Sequence, residues 1–168
     1  MSSAPLKVLV AAASRHGATQ ELAEAIGRTL REEGLDPSVT AIGEAGDPAG
    51  YDAVIVGSAV YMGRWLDQAT AFVASHGATL ADRPTWLFSS GPIGDPPRPG
   101  EAQAVDVAEV MAKTQAKGHK LFAGKLDKGK LGFGERAVML AFRPVEGDYR
   151  DWEEIEAWAR AIAGELRR

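Results

Sequence analysis

The chain contains no cysteine. Disulfide frameworks, thiolate catalysis and cysteine-ligated zinc or iron–sulfur sites are therefore excluded. No window approaches the run of about 18 apolar residues that a membrane-crossing helix needs, so none is expected. Met1–Pro5 carries no basic stretch leading into a long apolar one. No signal peptide is expected, and the expected location is the cytoplasm. No G-x-x-x-x-G-K-[ST] sequence marks a P-loop. Of three histidines, His76 and His119 have no cluster of partners around them in the sequence. Neither is expected to bind metal.

What remains is an ordinary globular composition. The 168 residues are 45% apolar and 25% charged, enough for one domain with a real core. The net charge of −4 is unevenly spread. Between Lys113 and Arg136 stand seven cations (Lys113, Lys117, Lys120, Lys125, Lys128, Lys130, Arg136) against Asp127 and Glu135. That segment is +5, leaving −9 for the rest of the chain. Such a strip is either a solvated lysine face or a docking surface for anionic lipid headgroups, acidic proteins or carboxylated substrates. No nucleic-acid partner is expected.

Short apolar runs alternate with amphipathic stretches, the pattern of a parallel sheet covered by helices on both faces. Strands are expected at about Leu6–Ala12, Pro37–Ile42, Tyr51–Gly57, Pro84–Ser90 and His119–Ala123. The helix Ala18–Glu33 places Leu22, Ile26 and Leu30 on one stripe, and Gly34 stops it. A second helix is expected to bury Trp65, Leu66, Ala69, Phe72 and Val73 and to end near His76-Gly77. A third, Glu101–Lys117, should face Val105, Ala108, Met111 and Ala112 inward. Lys130–Phe142 reads as a weak helix interrupted by Gly132 and Gly134. In the last helix Asp151 is an N-cap, Glu154 completes a capping box, and Ile155, Trp158, Ala159, Ile162 and Leu166 recur at helical spacing. Together these give a three-layer α/β sandwich in one domain, residues 1–168.

In such a sheet, ligands bind beyond the carboxyl ends of the strands. Three segments leave those ends, Ser14–Thr19, Ser58–Arg64 and Ser89–Gly94, each opening on Ser and containing Gly. The first runs from a strand into a helix. Outward-pointing amides at a helix start, with Gly17 allowing close backbone approach and Ser14 and Thr19 adding hydroxyls, suit a phosphate. The other two suit the edges of a flat heteroaromatic ring, with Tyr61, Met62 and Trp65 available as cover. The alternative is that these small residues only permit tight turns. A phosphorylated receiver domain would need acidic residues where the first strand ends in alanines. Gly132-Phe133-Gly134-Glu135-Arg136-Ala137 fits G-x-G-x-x-A, but too little chain follows for a βαβ unit.

Ser14-Arg15-His16-Gly17-Ala18-Thr19 resembles the [ST]-x-x-G-x-[TS] loop that holds the FMN phosphate in the flavodoxin superfamily. Gly57–Leu66 and Ser89-Ser90-Gly91-Pro92-Ile93-Gly94 resemble the second and third loops of its oxidoreductase branch. Gly124-Lys125-Leu126 and Asp151-Trp152-Glu153 are similar to the C-terminal part of flavodoxin-type, quinone-linked protoporphyrinogen dehydrogenases. The resemblance implies a flavodoxin-like sandwich with a five-stranded parallel sheet in the order 2-1-3-4-5. It implies FMN, with Ser14, Arg15, His16, Gly17, Ala18 and Thr19 around the phosphate. Ser58, Ala59, Val60, Tyr61, Met62 and Gly63 would border one side of the isoalloxazine, and Ser89, Ser90, Gly91, Pro92, Ile93 and Gly94 the other. The implied activity is transfer of reducing equivalents from an organic substrate, of the protoporphyrinogen type, to a quinone, with peripheral membrane contact through the basic segment. Two alternatives stay open: a flavodoxin-type electron carrier serving a redox partner protein, and a flavin-free interaction module.

Overall fold

In the computed structural model the described residues are 4–14, 17–61, 64–91, 107–123, 125–126, 147–148 and 151–167. Five main strands form a parallel sheet: β1 (Lys7–Ala13), β2 (Asp36–Ala41), β3 (Ala53–Tyr61), β5 (Thr85–Gly91) and β6 (Gly118–Ala123). Their order is β2-β1-β3-β5-β6. The two-residue strand β4 (Arg64–Trp65) folds back antiparallel on β3. Without β4, the order is the 2-1-3-4-5 that the family resemblance implied. A separate pair, β7 (Lys125–Leu126) and β8 (Gly147–Asp148), is antiparallel. The helices are α1 (Ala18–Glu32), α2 (Asp67–Ala81), α3 (Ala108–Thr114) and α4 (Trp152–Leu166).

The strand period of two divides the interior into two cores. Val8, Val10, Ile55, Trp86, Phe88 and Phe122 face α1 and α4, meeting Leu22, Ile26, Ile155 and Ile162. Leu9, Val54, Val56 and Leu87 face the other way, against Trp65, Phe72, Val73 and Val110. Each fully buried Leu, Ile or Phe contributes about 1.5–3 kcal/mol of transfer free energy. In the first core Phe88, Phe122 and Trp158 form a tilted and edge-on trio with centroids 5.5–6.1 Å apart. Gly57 lies against Phe88 of this trio. A Cβ there would enter the Phe88 ring, so the ring occupies the space a side chain would need.

Several boundaries differ from the sequence expectation. β3 runs on through Tyr61, four residues past Gly57, because Ser58 is accommodated in the buried strand by internal hydrogen bonds. Trp65 therefore belongs to β4 and not to α2, which starts at Asp67. α2 also continues past Gly77 to Ala81. Gly77 is no helix stop: a Cβ there would lie 3.5 Å from the Lys113 carbonyl, at the contact with α3. In α3 Val110 and Thr114 are buried and Met111 packs half-buried against the same core as expected, while Ala108 and Ala112 are exposed. Thr114 can be buried because its hydroxyl donates to the Val110 carbonyl at 2.8 Å. Val105 and Lys130–Phe142 lie outside the described residues.

At α4, Asp151 Oδ1 accepts the Glu154 amide at 3.2 Å as the capping expectation required. The Glu154 carboxylate turns to Lys120, 3.4 Å from its Nζ. No helix among the described residues is long and apolar enough to cross a membrane.

Candidate functional site

Sheet register brings the three candidate segments together. Ala13 pairs with Ser58, Ser58 with Ser89 and Ala59 with Ser90, so the carboxyl ends of β1, β3 and β5 stand side by side. β1 is fully buried from Val8 onward and delivers the chain to Ser14 at this edge. Gly17 then adopts φ 90°, the left-handed region that favours glycine, and starts α1. The Ser14 hydroxyl accepts the Gly17 amide at 2.9 Å, which leaves its own proton to donate.

The first intrahelical bond at this end runs from the Glu21 amide to the Gly17 carbonyl at 3.1 Å. The amides of Ala18, Thr19 and Gln20 therefore have no helical acceptor, and among the described residues no side chain caps them. Thr19 is buried beside them. Three amides without a partner among the described residues, the positive end of a 15-residue helix and two flanking hydroxyls form a donor set matched to a phosphate monoester dianion. Arg15 and His16 lie outside the described residues.

The second segment is largely strand. Ser58–Tyr61 completes β3, with Val60 opposite Trp65 and Tyr61 opposite Arg64. The Ser58 hydroxyl is buried, donating to the Ala59 carbonyl at 2.8 Å and accepting the Leu66 amide at 3.0 Å. Ala59 and Val60 are half-buried at the sheet edge. Met62 and Gly63 lie outside the described residues. In the third segment Ser89, Ser90 and Gly91 are the buried end of β5, while Pro92, Ile93 and Gly94 lie outside the described residues. The side chains of Ser58 and Ser89 are thus held within the protein.

One contact was invisible in the sequence. Trp65 Nε1 donates to Ser89 Oγ at 2.7 Å, and Ser89 Oγ lies 2.6 Å from His119 Nε2. Burial holds the His119 imidazole below its ordinary pKa, because the charged form would lose solvation. The three residues are 24 and 30 positions apart, so no local pattern could have linked them. Of the basic segment, Lys113 is 2.9 Å from Glu109 and Lys120 is 3.4 Å from Glu154, so two of its cations have acidic partners. Lys128, Lys130 and Arg136 lie outside the described residues.

Comparison with known proteins agrees with this geometry. A family model described as "Flavodoxin domain" matches residues 9–152. Protoporphyrinogen IX dehydrogenase [quinone] of Escherichia coli strain K12 is 23% identical over 172 residues, covering 94% of this chain and 95% of that protein. Among solved structures, a flavodoxin from the domain Archaea is similar with a TM-score of 0.66 at 17% identity, covering 97% of this chain and 100% of that one. Rubredoxin oxygen:oxidoreductase of the anaerobe Desulfovibrio gigas is similar over 96% of this chain and 36% of its own, with a TM-score of 0.62 at 16% identity. The chain belongs to the flavodoxin domain family, and its cofactor is FMN.

Proposed function

We propose that the protein is an FMN-dependent oxidoreductase that takes reducing equivalents from a reduced tetrapyrrole of the protoporphyrinogen type and delivers them to a quinone. The observation that carries the FMN chemistry is the uncapped start of α1 behind left-handed Gly17, opening at the carboxyl edge beside the ends of β3 and β5. The end-to-end likeness to the E. coli dehydrogenase supports the narrower choice of substrate and acceptor.

FMN, when bound, supplies the exchange of reducing equivalents through its isoalloxazine. The chain's own residues orient it. Ser14, Gly17, Ala18 and Thr19, with Arg15 and His16 next to them in sequence, hold the phosphate through amides and hydroxyls. Ser58–Tyr61 and Ser89–Gly91, with the residues that follow each in sequence, would border the ring on its two sides. Transfer between planar partners depends on their proximity and alignment, and the described loop residues include no acid or base that the reaction must use.

An electron carrier without a substrate of its own is the second reading, favoured by likeness to a flavodoxin over 97% of this chain and 100% of that one. Absorbance spectra of purified protein before and after FMN addition, followed by anaerobic turnover, separate the readings. The proposal expects a flavin spectrum and oxidation of protoporphyrinogen that depends on added quinone. A yellow protein inert toward protoporphyrinogen but reducible through a partner protein would favour the carrier. A colourless protein that takes up no FMN would overturn both.

A further inference from the structure

We propose that His119, outside all three ligand segments, is a positioning residue that fixes the two ring-bordering strand ends through Ser89 and Trp65. This inference rests on the FMN reading of the site. The chain of contacts crosses three strands, from β6 (His119) to β5 (Ser89) to β4 (Trp65), at 2.6 and 2.7 Å. Its middle is sealed, with Ser89 at 0% and Trp65 at 4% exposure.

The direction of each bond follows from donor chemistry. An indole N–H only donates, so Ser89 Oγ is the acceptor from Trp65. The buried serine proton then needs an acceptor of its own, and His119 Nε2 is the nitrogen within reach. The imidazole is therefore neutral, with its proton on Nδ1. Its depressed pKa agrees with that state.

The consequence falls on the β3–β4 hairpin. Its ladder has two residue pairs, Val60 with Trp65 and Tyr61 with Arg64, which is too short to hold its own orientation. Two serine contacts anchor it: Leu66 N–H to Ser58 Oγ and Trp65 Nε1–H to Ser89 Oγ. Ser89 belongs to the strand that leads into the third segment, so one hydroxyl ties the second segment to the third. His119 keeps that hydroxyl aimed. Losing the acceptor at position 119 frees Ser89 to rotate and loosens both borders of the ring.

The test compares His119→Leu, His119→Gln and Ser89→Ala in the full-length protein, with and without FMN. Gln is the conservative variant, since its Oε1 can accept the Ser89 proton. The readouts are FMN affinity by flavin fluorescence and the Trp65 indole N–H resonance, assigned with Trp65→Phe. Thermal melting confirms that each variant is folded. His119→Leu and Ser89→Ala should shift the indole resonance, speed its solvent exchange and weaken FMN binding about five- to tenfold, whereas His119→Gln should restore affinity to within about twofold. An indole resonance indifferent to residue 119, or Gln failing as badly as Leu, would overturn the inference while FMN binding stands. A wild-type protein that binds no FMN would overturn the reading of the site itself, and the indole arm in flavin-free protein would still report on the relay.

Discussion

Two helices of equal length, α1 and α4, lie on the same face of the sheet and begin in opposite ways. α4 closes its own start. Asp151 is in extended conformation, its carboxylate accepts the Glu154 amide, and Glu153 and Glu154 place negative charge in the first turn. Every element there answers the helix dipole from within the chain. α1 opens behind a left-handed glycine with no side-chain cap, and the Ser14 hydroxyl takes the Gly17 amide, leaving those of Ala18 to Gln20 without a partner among the described residues. The same backbone physics gives a stabilising terminus in one case and an anion site in the other. The difference lies in whether the chain supplies the negative charge itself.

Adding that charge to α1 should break the comparison most severely. Ala18→Asp places a carboxylate where the phosphate is held. Repulsion at a few ångströms is worth about 3 kcal/mol, so FMN affinity should fall roughly a hundredfold. The same change should raise the melting temperature of the flavin-free protein, because an acid at a helix start stabilises it by about 0.3–1 kcal/mol. Isothermal titration and calorimetric melting read the two opposite signs in one variant. A smaller effect comes from Thr19→Val, which removes one hydroxyl donor and should weaken FMN binding by about 1–2 kcal/mol. Unchanged affinity would remove Thr19 from the site.

The complementary change at α4 should act on stability alone. Asp151→Ala removes the cap and should cost about 1 kcal/mol in denaturant unfolding, with FMN affinity unaltered. The smallest effect expected is that of His119 on the pH dependence of stability. Unfolded, its imidazole takes a proton near 6.5, whereas burial in the folded chain pushes that value down. Between the two values the unfolded chain binds more protons, so stability rises with pH across that window. The contribution is fully present above 6.5 and is lost as the pH falls through the folded value. Melting temperatures of wild type and His119→Gln, compared from pH 7 downward, should diverge, with the variant giving the flatter curve.

The contrast between the helix starts was largely legible in the sequence. Asp151 and Glu154 have capping spacing, and Gly17 stands three residues after Ser14 and two before Thr19. The covered parallel sheet was legible too, because strands buried on both faces read as continuous apolar runs, whereas their order came from the family resemblance. Ser58 hid the end of β3, since a lone hydroxyl residue looks like a strand end until its two hydrogen bonds are seen. Trp65 sat at helical spacing from Ala69, Phe72 and Val73, yet it packs on the same core from β4. The inward face of α3 was read correctly at Met111 but misread at Ala108 and Ala112, because alanine suits either side, while a buried threonine is acceptable only with its hydroxyl satisfied. His119 looked isolated because its partner in the fold is 30 positions away.

The most direct test compares FMN with riboflavin, which keeps the ring and loses only the phosphate. If the open start of α1 holds the phosphate, fluorescence titration should give FMN an affinity about a hundredfold above that of riboflavin, and Ala18→Asp should erase most of that gap. Equal affinities for the two flavins in the wild-type protein would contradict the assignment.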